Sequence, residues 1–401
     1  MSALLAPRLA DPIAPPAADP VRVSFVIDRL TRAGTESQLV ALINHLDRSR
    51  VRPSLVLLDG EDDLSRALEP ADCPVVRLGV RKLLSRGAVR AAGRLRAVWR
   101  ELQPDVVQTY FQDSSYFGVP VARAAGVRAV VRVRNNLGYA LTRKDRVAGR
   151  VIRPFVSRFL TNTEAGRDAI VAGDGYAADR VVVLENGVDT QRFNRFMLPD
   201  TTKKRVRVGC VANLRPVKNI AGLMHAAKLL LDRHPCLVFE VAGDGEQREE
   251  LERLHNDLGL GSRFTFRGSV SDAAAFLRTV EVAALPSHSE GMSNALLEYM
   301  AAGRAVVATA VGANPTLIDD GRNGLIVPPN DPAALVEAVS RYLERPLMAA
   351  AFGAAARRKV EAEYSRDAMT RRFEDFFHDL TGPLHKLQNG DSLPPGSWRT
   401  P

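Results

Sequence analysis

Short apolar runs alternate with longer amphipathic stretches along almost the whole chain. Val21–Ile27 reads as a β-strand. Over residues 35–46, Leu39, Leu42, Ile43 and Leu46 recur at helical spacing. Further strand-like runs fall at residues 53–58, 75–78, 106–110, 127–133, 158–161 and 181–184, with helical patterns between most of them. The polar stretch 199–205 breaks the rhythm and reads as a linker. A second series follows at 206–211, 237–242, 264–266, 280–285, 305–309 and 325–327. Strands that alternate with helices imply parallel sheets covered on both faces. The expected fold is therefore α/β: two doubly wound, Rossmann-like domains in tandem, over residues 21–199 and 204–364, with a cleft between them.

Open parallel sheets bind ligands beyond the carboxyl ends of their strands, and the polar motifs lie there. After the run 280–285 and Pro286 comes Ser289-Glu290-Gly291-Met292-Ser293-Asn294, with a helix expected to start near Ser293. Seven residues separate Glu290 from Glu298. The first carboxylate sits in the loop at the helix mouth and the second lies one to two turns in. Free backbone N–H groups at such a mouth suit an anion or a hydroxyl-rich ligand. Two carboxylates beside them fit a ligand with both phosphate and diols, such as a nucleotide-sugar. An isolated pair of this kind is more often two solvated charges. Three companion motifs shift that balance. Arg215 and Lys218 follow the run 206–211, and together they offer a planar fork and a point charge to a diphosphate. Gly243-Asp244-Gly245 follows 237–242, and Asn186-Gly187-Val188-Asp189 follows 181–184; either is explained by a tight turn alone.

Together and in this order, these motifs resemble the retaining GT-B glycosyltransferases, the large family that includes bacterial mannosyl-, glucosyl- and N-acetylglucosaminyltransferases. The resemblance spans roughly residues 21–380 and is most specific at 290–303 and 214–219. It implies a donor nucleoside-diphosphate-sugar, UDP-sugars among the candidates, with no metal and no permanently bound cofactor. By resemblance, Arg215 and Lys218 would hold the diphosphate and Glu298 the ribose hydroxyls. Glu290 and the amides of Gly291, Met292, Ser293 and Asn294 would hold the donor sugar, and Glu290, Arg215 and Lys218 would carry the chemistry. Gly34, in Arg32-Ala33-Gly34-Thr35-Glu36, matches the glycine loop that approaches the phosphates; Gly209 and Gly243 complete the donor side. The residues from 365 to 381 would form a helix that crosses back to the first domain. No protein nucleophile is required, because the leaving phosphate itself assists deprotonation of the acceptor.

The chain also departs from the family pattern. Ala33-Gly34 stands where two glycines are usual. Gln108 or Tyr110 stands where many members have a histidine, whose role near the sugar must pass to another group or be absent; Gln108 and Asp113 are the acceptor-side candidates. In the stretch 311–316, Ala313 and Thr316 replace a glycine and a glutamate.

Composition narrows the remaining choices. The 401 residues carry a net charge of +9, and residues 1–200 hold 30 Lys and Arg against 22 Asp and Glu, so nearly all the excess lies in the first half. Its densest run, Arg81, Lys82, Arg86, Arg90, Arg94, Arg96 and Arg100, is interleaved with apolar residues. It suits either an ordinary solvated helix or peripheral contact with an anionic membrane. Three scattered cysteines suggest a reducing compartment, and the seven histidines form no metal-binding spacing. Residues 1–20 and 382–401 read as disordered tails, with no signal peptide read in the first, and no run of eighteen apolar residues occurs along the chain; a cytoplasmic location, with or without peripheral contact at the inner face of the membrane, is the expectation. The acceptor expected is a glycan or a lipid-linked saccharide. The same fold also serves nucleotide-sugar epimerases, which remain the alternative. A dinucleotide oxidoreductase lacks its glycine fingerprint after the first strand. A nucleic-acid-binding module is suggested by charge alone, without interleaved aromatics, so no nucleic-acid partner is expected.

Overall fold

The computed structural model describes residues 19–59, 62–138, 141–193 and 197–382. The tails expected at 1–20 and 382–401 lie outside the described residues, apart from Asp19, Pro20 and Gly382.

Two parallel sheets form, as the alternating pattern implies. The first comprises β1 (Val21–Ile27), β2 (Val51–Leu57), β3 (Val75–Arg77), β4 (Val106–Tyr110), β5 (Ala129–Val133), β6 (Arg158–Thr161) and β7 (Val181–Val183), in the order β3-β2-β1-β4-β5-β6-β7. The second comprises β8 (Val206–Val211), β9 (Leu237–Ala242), β10 (Phe264–Gly268), β11 (Val282–Leu285), β12 (Ala305–Thr309) and β13 (Leu325–Val327), in the order β10-β9-β8-β11-β12-β13. Helices cover both faces, so the central strands are apolar on both sides: Phe25, Val26 and Ile27 of β1 are wholly buried, as are Val306 and Val307 of β12. Each domain is a doubly wound, Rossmann-like α/β unit. The strand order reverses between β1 and β4 in one sheet and between β8 and β11 in the other. These are the switch points where such sheets leave a crevice.

Local differences from the sequence pattern have packing reasons. β11 begins at Val282, not at residue 280, because Val280 ends a turn and lies against Gly209 of β8. The polar stretch 199–205 is pinned to the second domain: the Thr201 hydroxyl donates to the Tyr342 carbonyl (2.9 Å) and Lys203 pairs with Glu281 (2.8 Å).

The helix Arg366–Thr381 starts at Ser365, whose hydroxyl accepts from the Ala368 amide. It packs on the first domain, where Met369, Phe373, Phe376 and Phe377 enter the core around β1 and β4. Glu374 accepts from the Asp47 amide (2.8 Å) and pairs with Arg50 (2.7 Å).

Candidate active site

The crevice of the second domain is built by two loops that leave adjacent strands. After β8 the chain passes Arg215 and a short turn, Pro216–Lys218, to Asn219, which caps the helix Ile220–Arg233. Asn219 holds a left-handed backbone (φ 51°); its side chain accepts from the Gly222 amide (3.1 Å) and donates to the Pro286 carbonyl (3.1 Å). The His288 amide donates to the Val217 carbonyl (2.8 Å). The loop after β8 is thereby stitched to the loop after β11. Across the seam, Lys218 Nζ lies 2.6 Å from Glu290 Oε1, which also accepts from the Ser287 hydroxyl (2.7 Å). Arg215 is exposed and has no side-chain partner among the described residues.

Glu290 leads into the helix Asn294–Ala301, whose first turn is capped by Ser293. At this end the two domains meet. The Asn294 side chain donates to the Gly34 carbonyl (3.2 Å) and accepts from Gln38 (3.1 Å) and from Asn186 (2.8 Å). A methyl group on Gly34 would stand 3.1 Å from the Asn294 amide nitrogen. Met292 is buried, and its sulfur accepts from the Asn186 amide (3.2 Å). Gly291 lies so close to the first domain that a Cβ there would sit 2.3 Å from the Asn135 carbonyl oxygen.

Glu298 lies half-buried one turn further along the helix, with no side-chain hydrogen bond among the described residues. Burial pushes its carboxyl up to about 7, against the opposing pull of Arg192 and Arg366. Those arginines pair with Asp272 and Asp189, each at 3.2 Å.

The loops after β8 and β11 thus carry Arg215, Lys218, Glu290, Gly291, Met292, Ser293 and Asn294 to one end of the second sheet, where Lys218 meets Glu290 and Asn294 meets Gly34; Glu298 lies further along the same helix, and the other candidates lie elsewhere. Gly209 lies inside β8, where a Cβ would meet Val280 at 2.4 Å, so its smallness serves strand packing. Gly243 (φ 147°) leaves no room for a side chain: a Cβ would sit 1.8 Å from the Ala212 carbonyl oxygen. The turn it begins holds the Arg215 loop from behind, because the Leu214 amide donates to the Asp244 carbonyl (3.0 Å). Gln108 is fully buried and donates to the Tyr110 hydroxyl (2.7 Å). Asp113 is exposed in the first turn of the helix Gln112–Ala124. Gln38, Asn135 and Asn186 join the cleft through contacts that only the folded chain creates.

Two departures from the family pattern, Ala33 and Ala313, are accommodated by the backbone. Ala33 is extended (φ −85°, ψ 167°) and Ala313 is helical (φ −82°, ψ −2°), conformations any residue adopts. The glycine that the second turn does need is present: Gly312 has φ 55°, and a Cβ there would stand 2.3 Å from the Glu290 carbonyl oxygen.

Comparison with known proteins agrees with this architecture. Residues 205–345 match the family described as "Glycosyl transferases group 1", and residues 32–192 match "Glycosyltransferase Family 4". The chain is 30% identical over 295 residues to a D-inositol 3-phosphate glycosyltransferase of Frankia alni, an alignment covering 63% of this chain and 70% of that relative. It is also 30% identical to a GDP-mannose-dependent alpha-(1-6)-phosphatidylinositol monomannoside mannosyltransferase of Mycolicibacterium smegmatis, over 59% of this chain and 67% of the relative. Among solved structures, Anabaena HepE in complex with UDP shares the fold with a TM-score of 0.78 at 19% identity, over 90% of this chain and 100% of that one. The chain thus belongs to the group 1, family 4 glycosyltransferases and is a glycosyltransferase of the GT-B fold.

Proposed function

We propose that the protein transfers a sugar from a nucleoside-diphosphate-sugar to an acceptor hydroxyl, with retention of anomeric configuration, in the synthesis of a glycan, glycolipid or exopolysaccharide. What supports this reading is the Lys218–Glu290 pair, which joins the loops after β8 and β11 at the switch point of the second sheet, with Arg215 on the same loop as Lys218 and Glu298 on the helix Asn294–Ala301. Glu298 accepts from the ribose hydroxyls. Arg215, with no partner of its own, and Lys218, which keeps two donors beyond its bond to Glu290, hold the diphosphate. The second oxygen of Glu290 takes a hydroxyl of the donor sugar. The acceptor hydroxyl attacks the anomeric carbon as the bond to the diphosphate breaks. Its proton passes to the leaving phosphate oxygen on the same face. Charge grows on the diphosphate only as that bond breaks, so cations already in place favour the transition state over the bound donor. Because two side chains supply that charge, we infer that the reaction needs no metal. A solved relative in the fold holds UDP, and one sequence relative is named for GDP-mannose, which supports a nucleotide-sugar donor without choosing between bases.

We further infer that the enzyme works at the inner face of the cytoplasmic membrane on a glycan or lipid-linked acceptor. The helices Arg86–Leu102, Gln112–Ala124 and Arg143–Ile152 lie side by side on one face of the first domain. The outer two carry exposed apolar residues, Val89 on one and Val147 and Val151 on the other; Leu84 and Phe155 are exposed nearby. Among the described residues no helix is long and apolar enough to cross a membrane.

A panel of labelled nucleotide-sugars, each with candidate acceptors and with or without EDTA, tests the reading. Transfer with the donor's anomeric configuration kept, and unaffected by chelator, supports it. Inverted product, or activity lost to EDTA and restored by Mg²⁺ or Mn²⁺, contradicts it.

A further inference from the structure

Two helices meet start to start between the domains. The helix Gly34–His45 of the first domain and the helix Asn294–Ala301 of the second both begin there, and their first residues are joined: the Asn294 side chain donates to the Gly34 carbonyl (3.2 Å). Each helix start carries the positive end of its dipole, so the two repel unless an anion lies between them or other bonds hold them. Side chains around Asn294 supply such bonds. Its amide oxygen accepts from Gln38 Nε2 (3.1 Å), one turn into the first helix, and from Asn186 Nδ2 (2.8 Å), beyond the end of β7. Gln38 Nε2 also donates to the Gly187 carbonyl (2.9 Å), and Gln38 Oε1 accepts from the Gly187 amide (3.4 Å). Asn186 Oδ1 in turn accepts from Asn162 (3.2 Å), just after β6. Segments from three places in the first domain thus lead to one side chain of the second.

The network is closed. A primary amide offers two hydrogens, and Gln38 directs one to Asn294 and the other to Gly187. The two lone pairs of the Asn294 oxygen are both filled. Turning the Asn294 amide over would set its NH2 against two other NH2 groups, so the bonds specify one arrangement. No member carries a charge, and the net worth of each such bond is modest. The neighbouring backbone amides rest on weak sulfur acceptors, Asn186 on Met292 (3.2 Å) and Gly187 on Met369 (3.1 Å). The join is therefore exact in geometry and easily opened.

We propose that Gln38 and Asn186 are positioning residues for the transfer: acting through Asn294, they hold the first turn of the helix Asn294–Ala301 against the Gly34 loop and so set the register in which the first domain meets the donor. The inference rests on the glycosyl-transfer reading and adds to it the residues that align its two halves.

Three variants of the full chain test the proposal. Gln38→Glu keeps the size of the side chain and its acceptor for the Gly187 amide, but sets oxygen against oxygen at Asn294 and at the Gly187 carbonyl. Asn186→Ala removes the other donor to Asn294 and keeps the test open if Gln38→Glu fails to fold. In each, transfer should fall about tenfold or more, because a small misplacement at the reacting centre is costly. Affinity for nucleoside diphosphate should stay within about threefold of the parent, because the loss falls on turnover and Arg215, Lys218 and Glu298 are untouched. The double variant Gln38→Ala/Asn294→Ala should lose no more transfer than the worse of its two single variants, since residues that act as one unit are not additive. Hydrogen exchange separates this role from a purely local one. In Gln38→Glu and in Asn186→Ala the amides of residues 291–297, in the other domain, should exchange faster than in the parent; a glutamine that served only its own helix would change residues 34–38 alone. Undiminished transfer in the folded single variants, additive losses in the double variant, or unaltered exchange at 291–297 would overturn the proposal. A parent chain that transfers no sugar would count against the glycosyl-transfer reading alone, because exchange is read without substrate.

Discussion

Lys218 and Glu290 stand 72 residues apart in sequence and 2.6 Å apart in space, joining the loops that follow two neighbouring strands. The Glu290 side chain is 8% exposed, so the pair is also a structural tie. Removing one member of such a pair leaves the other charge uncompensated.

Arg215→Ala and Lys218→Ala should therefore differ. Arg215 has no side-chain partner among the described residues, so its loss should leave the melting temperature nearly unchanged. We expect turnover to fall roughly 10²-fold, as for other preorganised charge donors. Lys218→Ala should lower both turnover and stability. Steady-state kinetics and thermal melts on both variants check this; normal kcat in each would remove both from the diphosphate.

Glu298 should make donor binding depend on pH near neutrality. Its carboxyl rises from an ordinary 4.5 to about 7 on folding, because burial disfavours the ionised form. The stability this group contributes is therefore largest below about 4.5 and is lost as pH climbs through about 7. Donor affinity should move the opposite way, because ribose hydroxyls donate to the ionised form. Binding of nucleoside diphosphate should tighten between roughly pH 6 and pH 8, and Glu298→Gln should flatten that dependence. An equally steep profile in the variant would assign the titration to another group.

Gly291→Ala should separate binding from catalysis. The added methyl would stand 2.3 Å from the Asn135 carbonyl oxygen, so the domains must shift apart there. Nucleotide contacts from the second domain remain. Transfer is expected to fall at least about tenfold while nucleoside diphosphate affinity changes little, since a small misplacement at the reacting centre is costly. Unimpaired transfer would show that this close approach is not needed for activity.

Membrane contact should depend on Lys82, Arg86 and Arg90, which make no ion pair among the described residues. Arg94 and Arg96 serve the fold, donating to the carbonyls of Leu78 (2.7 Å) and Ala124 (2.9 Å). Each exposed cation adds about 1 kcal/mol at an anionic leaflet, screened by salt. Co-sedimentation with anionic vesicles should be lost when the three residues become alanine and at high salt. Equal binding to neutral vesicles would refute an electrostatic attachment.

The sheets were legible in the sequence because parallel strands buried on both faces leave nearly continuous apolar runs: β1, β4, β6, β8, β9, β12 and β13 coincide with the runs that mark them. Glu290, Arg215 and Lys218 were legible as polar residues just beyond strand ends. Pairing across the cleft was not. Nothing local says that Asn294 will reach Gly34, 260 residues away, or that Gly291 will face Asn135. Gly209 carries no mark distinguishing a glycine that admits a ligand from one that admits Val280.

In the proposed function, the second domain holds a nucleoside diphosphate through Glu298 and Arg215. Calorimetric titration of the common nucleoside diphosphates into the parent protein and Glu298→Ala measures this most directly. At least one nucleotide should bind the parent saturably, and the variant should bind it roughly tenfold or more weakly, the loss of a charge-assisted bond worth about 1.5–3 kcal/mol. No binding by the parent, or equal affinity in a folded variant, would contradict the claim.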